Sequence, residues 1–547
     1  MESFQRWYSS PYIHYGIILT VCLFSFFINN RLIPADIMES RNLVTAQEMV
    51  RYGNYLLPTM NGEPRLEKPP LPTWIAAAIE HMTPQNLTVQ RYAAGITATI
   101  MVIFLYLTVS RLTRNKLCGL IASLILATSY NMILMGRTAT WDIYTHCFML
   151  GSIYFLIIAL REDHAQWKNF ILAGLFAGLS FLSKGPVSLY ALFLPFLISY
   201  IIVYRPSLKG KKAALTLMIL SMLIVSCWWY GYTYLFHQDF AVDIAGKESS
   251  SWLNHNVRPW YYYWKFPAEA GIWALFWITA IVLFFINKQT GHYKTSKFAF
   301  IWFLASLILL SVIPEKKTRY LLPLLIPGAI LTGLYICQMI SGIKTKTEKI
   351  LFSINAYIIG MILFLLPAAL CFLCYIKNPV SFPVLIISAT VSWGLCGFIA
   401  WSLFGKKGIR AINVFSAAVL TMMMVTGICL VPIGDLFINE NRHSIKLLSG
   451  NDKARELPLY YNREETLRIE LVYEINRRIN PIDLTDNEAV RKATPFVLIS
   501  GLPAGSIVRD TDFTIEYIDT YDNNWRKTNH KRHNPELVRQ AAIIRAK

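Results

Sequence analysis

The sequence predicts an all-α polytopic membrane protein of about thirteen spans, followed by a small C-terminal α/β domain outside the bilayer. Three observations carry this. The 547 residues are 54% hydrophobic and only 16% charged, with a mean hydropathy of +0.40, too apolar for a water-soluble enzyme of this size. Apolar runs of about 20 residues, the length that crosses a bilayer, recur from residue 12 to residue 433. No such run occurs in 434–547, where short alternating and amphipathic segments take over.

In order, the spans fall near 12–30, 90–110, 117–135, 141–160, 169–184, 186–204, 213–236, 266–287, 298–313, 320–340, 350–376, 381–404 and 409–433. The stretch from Tyr12 to Phe27 reads as a first anchor without a cleavage site after it. The fifth span is short enough to be re-entrant. Residues 31–89 are polar with amphipathic stretches and form a long first loop. This divides the chain into a membrane domain over 1–435, whose loop 31–89 carries the site, and a soluble domain over 436–547.

Positive charge orients the bundle. With the N-terminus in the cytoplasm, the loops after even-numbered spans carry Arg111, Arg114 and Lys116; Arg161 and Lys168; Arg205, Lys209, Lys211 and Lys212; Lys288, Lys294 and Lys297; Lys344, Lys346 and Lys349; Lys406, Lys407 and Arg410. All are basic. The net charge of +19 is thereby explained by cytoplasmic loops, and no nucleic-acid motif is present. The same orientation puts 31–89, 237–265, 314–319 and the C-terminal domain outside, which in a bacterial inner membrane is the periplasmic side.

In the C-terminal domain, 494–500 (TPFVLIS) reads as a buried strand, 464–479 as an amphipathic helix and 513–521 (FTIEYIDTY) as an alternating strand. From about Asn523 the chain reads as a polar, mobile tail. All nine cysteines lie in or beside apolar segments, so no disulfide framework is expected. Cys371 and Cys374 form a C-x-x-C inside a span and read as packing.

Basic residues on the outer side break the charge rule and carry the functional signal. They are Arg41, Arg65, Lys68, Arg137, Lys184, Arg258, Lys316, Lys317 and Arg319, with the acids Asp36, Glu39, Glu67, Asp142 and Glu315 among them. Taken singly, each has a structural reading as a loop-locking ion pair or a snorkelling side chain. Converging on one face, they suit an anionic lipid-linked ligand, because ionisable groups at membrane depth are costly unless paired or functional. Lys and Arg hold phosphate and favour the charge that grows on a phosphate leaving group. A carboxylate could take the proton of an acceptor hydroxyl or amine. In NGEPRLEKPPLPTW (61–74), Pro69, Pro70 and Pro72 stiffen the chain beside Glu67 and Lys68. GRTATWDIYTH (136–146) puts Arg137 and Asp142 at the start of the fourth span, and LSKGPVSL (182–189) puts Lys184 before a Gly-Pro break. NHNVRPWYYYWKFP (254–267) mixes His255 and Arg258 with aromatics, as either an interfacial belt or a wall for lipid and sugar.

These residues resemble the integral-membrane glycosyltransferases of the GT-C class, above all the lipid A aminoarabinose transferases and bacterial relatives of the protein O-mannosyltransferases. The segment 39–74, with its acidic start, N-G and E-K-P-P-L, is the most specific piece; LSKGP, KKTRYLLPL (316–324) and RPWYYY add to it. The resemblance implies a polyprenyl-phosphate sugar donor, undecaprenyl phosphate in a bacterium, with an acceptor that is lipid A or another envelope glycolipid, or else a protein hydroxyl. It implies Glu39, Asp36 and Asp142 as catalytic carboxylates, although Met38 stands where the family has the Asp of its Asp-Glu pair. Lys68, Arg258, Lys316, Lys317, Arg319 and Tyr320 would hold the donor phosphate, supported by Arg65, Glu67, Arg137 and Lys184. Some relatives bind a metal through the Glu of E-K-P and a histidine pair. Glu67 is present but His255 and His443 are scattered, so no cofactor is required and a divalent metal is not favoured. Two other readings stay open. A lipid-linked sugar transporter is disfavoured by the lack of an internal repeat. A non-catalytic scaffold is favoured only by Met38.

Overall fold

The computed structural model describes residues 10–32, 34–240, 242–244, 246, 254, 256–286, 292–377, 382–405, 409–431, 439, 441–508 and 512–547. They form two compact units: Met1–Asn30, Glu67–Pro72 and Arg91–Pro432 in the first, and Arg31–Leu66, Thr73–Gln90 and Ile433–Lys547 in the second. The first loop of the sequence reading therefore packs for most of its length with the C-terminal residues. Its helix Ile37–Tyr52 supplies the reason, since Val44 is buried in the same apolar cluster as Leu471, Val497 and Ile543.

The first unit is helical and spans the membrane. Among the described residues, nine helices are long and apolar enough to cross, or up to eleven if each of two bent pairs counts as one span. The bent pairs are Lys116–Ala127 with Tyr130–Gly136, and Trp260–Glu269 with Gly271–Ile286. The other two expected spans are the helices Trp167–Lys184 and Leu189–Tyr204, which stand outside that count. Gly185, at φ +72°, ends the first of them, and a π-helical turn over Leu189–Phe193 opens the second. Each of the about thirteen expected spans thus falls on a helix or a bent helix pair, with bends and breaks within several of them.

Small residues set the closest helix contacts. A Cβ at Gly174 would lie 2.2 Å from the Met218 carbonyl oxygen, and one at Gly178 would lie 2.9 Å from that of Met222. The two glycines, one turn apart, let Trp167–Lys184 press on Lys212–Phe236, as small residues do between membrane helices. A Cβ at Gly333 would meet the Ala122 backbone nitrogen at 3.0 Å. The span Thr318–Ser341 holding Gly333 is the most enclosed, with 94% of its apolar window buried. One cysteine expectation is corrected here: Cys118 and Cys337 form a disulfide, their Cα atoms 5.7 Å apart. Their separation of 219 residues hides the pair in sequence. Cys371 is exposed and free, and the Cys374 side chain lies outside the described residues.

The second unit is built on a five-stranded sheet. A short hairpin, β1 (Thr59–Met60) with β2 (Glu63–Pro64), precedes it in the chain. The sheet strands are β3 (Leu459–Asn462), β4 (Ile479–Ile482), β5 (Phe496–Ser500), β6 (Phe513–Asp522) and β7 (Val538–Ala546), in the order β4-β3-β5-β7-β6. β3 pairs in parallel with β4 and β5, and β7 runs antiparallel to β5 and β6. Residues of β5 and β7 alternate between two cores: Val497, Ile499, Ala541 and Ile543 on one face, Phe496, Leu498, Ala542 and Ile544 on the other. The expected strands over 494–500 and 513–521 are present. The helix expected over 464–479 is only Ile469–Ile475, because Asn476 turns left-handed at φ +53° and Ile479–Ile482 pairs as an edge strand that tolerates Pro481. The polar tail expected from Asn523 is overturned more fully, since β7 lies inside the sheet.

Candidate active site

The first unit gathers the candidate cations around one buried carboxylate. Asp142 sits in the first turn of Trp141–Arg161 and is 1% exposed. Lys184 is the last residue of its helix, and its ammonium donates to Asp142 Oδ1. Arg319 Nε lies 4.0 Å from Asp142 Oδ2. The register that lets Asp142 meet Lys184 is set one turn deeper by a reciprocal pair of hydrogen bonds. Thr145 Oγ1 donates to the Ser180 carbonyl (3.1 Å), and Ser180 Oγ donates to the Thr145 carbonyl (2.6 Å).

Tyr320 forms the second wall. Its ring centroid lies 4.9 Å from Lys184 Nζ, 5.7 Å from Lys317 Nζ and 5.8 Å from the Arg319 guanidinium carbon. Lys317 also pairs with Glu315. Lys68 is within electrostatic reach of Lys184. The cluster thus sets the cations Lys68, Lys184, Lys317 and Arg319 against the carboxylates Asp142 and Glu315. Cations and carboxylates meet here in a largely enclosed setting, where each charge depends strongly on its partners.

Backbone pairing holds the 314–320 loop. Arg258 N donates to Pro314 O (3.2 Å) and Lys316 N to Asn256 O (3.2 Å). Thr318 is gripped by Tyr262 Oη at 3.2 Å and Lys265 Nζ at 3.1 Å, while its carbonyl accepts from Asn131 Nδ2 at 3.2 Å. The aromatic run is therefore partly a scaffold for the cation loop. Thr145, Ser180, Asn131 and Lys265 were not singled out from sequence; the only hint for Lys265 was its place in that run.

Other candidates sit elsewhere. Lys316 is 4% exposed and its ammonium donates to the Ile313 carbonyl at 2.5 Å, next to the C-terminal end of Tyr293–Val312. Arg258 is exposed, with its backbone on the loop. Arg137 is buried and donates to the carbonyls of Ser25 (2.7 Å) and Phe24 (2.8 Å), within the π-helical turn Leu23–Phe27. That role is support of the first span. Glu67 is exposed in the segment leading to Pro69, and His255 lies outside the described residues.

The second unit holds the rest. Asp36 caps the helix Ile37–Tyr52, its Oδ1 accepting from Glu39 N at 2.8 Å. Glu39 is fully buried in the first turn, where the helix end favours negative charge. Arg65 Nη1 donates to Arg41 O (2.8 Å) and Thr45 Oγ1 (2.9 Å), bracing the next turn. Farther along, Glu48 accepts from Arg478 Nη2 (2.9 Å) and Nε (3.2 Å), and this pairing raises the Arg478 pKa. Asn61 completes the sheet edge, accepting from Ile479 N (2.9 Å) and donating to its carbonyl (2.8 Å). Through Glu48 and Asn61, the helix bearing Glu39 is fastened to the C-terminal sheet. His443 Nε2 lies 2.8 Å from Asp519 Oδ2, and this hydrogen bond lowers the Asp519 pKa. Among the described residues no group of three or more His, Cys, Asp or Glu is placed to hold a metal ion.

Comparison with known proteins agrees with this architecture. Residues 67–230 match the model of the dolichyl-phosphate-mannose-protein mannosyltransferase family. The undecaprenyl phosphate-alpha-4-amino-4-deoxy-L-arabinose arabinosyl transferase 2 of Proteus mirabilis is 24% identical over 409 residues, 72% of each chain. The transferase of the same name from Yersinia enterocolitica is 23% identical over 60% of each chain. An uncharacterized protein of Aquifex aeolicus is 26% identical over 299 residues, and the match spans only 58% of that relative. The crystal structure of ArnT from Cupriavidus metallidurans bound to undecaprenyl phosphate superposes with a TM-score of 0.69 at 14% identity, covering 97% of each chain. The likeness shows the fold: a multi-pass membrane protein of GT-C architecture with a small C-terminal α/β region, resembling ArnT.

Proposed function

We propose that the chain is a glycosyltransferase that moves a sugar from a polyprenyl-phosphate donor, undecaprenyl phosphate in a bacterium, to an acceptor outside the inner membrane. The carrying observation is the cluster of Lys184, Arg319, Lys317 and Tyr320 around buried Asp142. In the reaction, the bond from the sugar's anomeric carbon to the phosphate oxygen breaks, and the electron pair leaves with the phosphate. The acceptor oxygen or nitrogen forms the new bond and gives its proton to a carboxylate. The cations stabilise the departing phosphate more strongly than the esterified one, which lowers the barrier.

Asp142 is already engaged by Lys184, so its part is to orient the cations. Glu39 is the carboxylate that the sequence resemblance implies for the acceptor proton, and Asp36 caps the helix that carries it. Lys68 and Arg258 complete the donor side. No metal enters this reading. The N-terminus lies in the cytoplasm and the second unit in the periplasm, as the charge pattern of the loops indicates. The names of the Proteus and Yersinia relatives favour undecaprenyl phosphate as the carrier and a pentose-like sugar; the acceptor of this reading is lipid A or another envelope glycolipid, as the sequence resemblance implies. The mannosyltransferase family match over 67–230 favours a second reading, transfer to a protein hydroxyl.

The test is incubation of the purified full chain with labelled polyprenyl-phosphate sugars and envelope extract, followed by separation of lipid, glycan and protein. Label in the lipid fraction supports the first reading, and label in protein the second. Donor binding without any transfer would overturn both and leave a transporter or scaffold.

A further inference from the structure

Two broken spans meet beside the cation loop, and a carboxylate that the proposed reaction does not use is buried where they touch. Trp260–Glu269 and Gly271–Ile286 bend by 101°, and Lys116–Ala127 and Tyr130–Gly136 bend by 70°. A Cβ at Gly271, where φ is +62°, would lie 3.2 Å from the Tyr130 Cβ, and Trp273 Nε1 donates to Thr128 Oγ1 at 2.8 Å. Glu269, the last residue of its helix before the bend, is 6% exposed. Among the described residues, its Oε2 and Asn131 Oδ1 receive no hydrogen bond. A carboxylate so poorly solvated is costly at the edge of a membrane unless it has a task.

Its neighbours indicate that task. Asn131 is within hydrogen-bonding reach of the Glu269 carboxylate, and Lys265, four residues earlier in the chain, is the cation that acts on it. These same two residues grip Thr318. Asn131 Nδ2 donates to its carbonyl at 3.2 Å, and Lys265 Nζ donates to its hydroxyl at 3.1 Å. Thr318 stands between Lys317 and Arg319. Lys265 is exposed, and an exposed ammonium ordinarily turns out to water. Here it lies 4.1 Å from the Tyr262 ring centroid and points its charge at the loop, with the buried negative charge of Glu269 to hold it there.

We propose that Glu269 is a positioning residue for the cation loop. It holds Lys265 and Asn131 on Thr318, and so fixes where Lys317 and Arg319 present their charge. This rests on the reading above in which those cations bind a carrier phosphate. Charge alone and positioning predict opposite signs. By charge alone, a carboxylate near the site opposes an arriving phosphate, so neutralising it should tighten phosphate binding. By positioning, its loss releases Lys265 to solvent, loosens the loop and weakens phosphate binding.

The experiment measures binding of polyprenyl phosphate and of the neutral polyprenol to the full chain in detergent. The proteins are wild type, Glu269→Gln, Lys265→Met and the double variant. Glutamine keeps the size of the side chain and removes its charge. Glu269→Gln should lose about fivefold or more in phosphate affinity with alcohol binding unchanged, and Lys265→Met a similar amount. The double variant should lose little beyond either, because both residues act on Thr318 by one route. Glu269→Asp, which keeps the charge, should recover part of the loss. Phosphate affinity raised or unchanged in Glu269→Gln would overturn the proposal. If that variant does not fold, Lys265→Met carries the test, since it alters only an exposed side chain, and unchanged phosphate affinity there would overturn the proposal as well. Equal losses for phosphate and alcohol would reduce Glu269 to a structural residue, and additive losses would remove the route through Lys265. A wild type that does not prefer phosphate to alcohol would overturn the donor reading itself, a result read before any variant is made.

Discussion

Asp142→Asn offers the sharpest energetic test of the cation cluster. The side chains of Asp142 and Lys184 are 2% and 5% exposed, so solvent does little to screen their attraction. Asparagine keeps the shape but leaves Lys184 without the charge that offsets its burial, and removes the carboxylate 4.0 Å from Arg319. Breaking one side of such a buried pair costs about 3–5 kcal/mol, most of it the penalty of the stranded charge. For a unit of this size the melting temperature should fall by about 3–5 °C. Lys184→Met should cost a similar amount. In the double variant neither member of the pair keeps a charge to strand, so its loss should fall well short of the sum. The assay is thermal unfolding of the four proteins in one detergent, read as a double-mutant cycle. Polyprenyl phosphate should stabilise Asp142→Asn more than wild type, since its anion restores the missing charge. Strict additivity of the two single losses would show that the two side chains are not coupled and would sink the ion-pair argument.

Other consequences are measurable in the same way. Arg478→Ala takes the guanidinium from buried Glu48, which keeps its bonds from Thr59 and Gly62 N, and should lower the stability of the second unit by about 2–4 kcal/mol. It should also reduce kcat more than donor KM, because the helix bearing Glu39 is loosened, and Arg478→Lys should restore part of both. Ser180→Ala removes a 2.6 Å bond that sets the Asp142–Lys184 register, so a loss of about 1 kcal/mol should come with weaker donor binding. Asp519 is held below its ordinary 3.8 by His443. Its contribution is therefore complete above that value and lost as pH falls through the lowered one, so Asp519→Asn should flatten the acid limb of the stability profile.

Hydropathy made the membrane unit legible because each span announces itself within its own 20 or so residues. What it could not show were the breaks. Gly185 and Pro186 are visible in sequence, but whether they end a span or kink it depends on packing against other helices. Asp142, Lys184 and Arg319 could each be marked as an odd charge, yet the ion pair joins residues 42 positions apart and the pairing was not visible. The Cys118–Cys337 link was hidden for the same reason. In the C-terminal region, β5 stood out as an unbroken apolar run. β7 did not, because its apolar core, Ala541 to Ile544, is short and flanked by Arg539 and Arg545. The helix 464–479 was overextended because its amphipathic pattern continues past Asn476, where the backbone turns left-handed. Met38 stands where the resembled family has an Asp; in the structure Asp36 caps the helix and Glu39 is buried in its first turn.

Everything proposed for the reaction depends on the cluster recognising the phosphate of a lipid carrier. The direct measurement is binding of polyprenyl phosphate and of the neutral polyprenol to the full chain and to Arg319→Ala. Wild type should bind the phosphate far more tightly than the alcohol, and Arg319→Ala should remove about tenfold or more of that preference while leaving alcohol binding unchanged. Equal affinity of wild type for phosphate and alcohol would contradict phosphate recognition by the cluster.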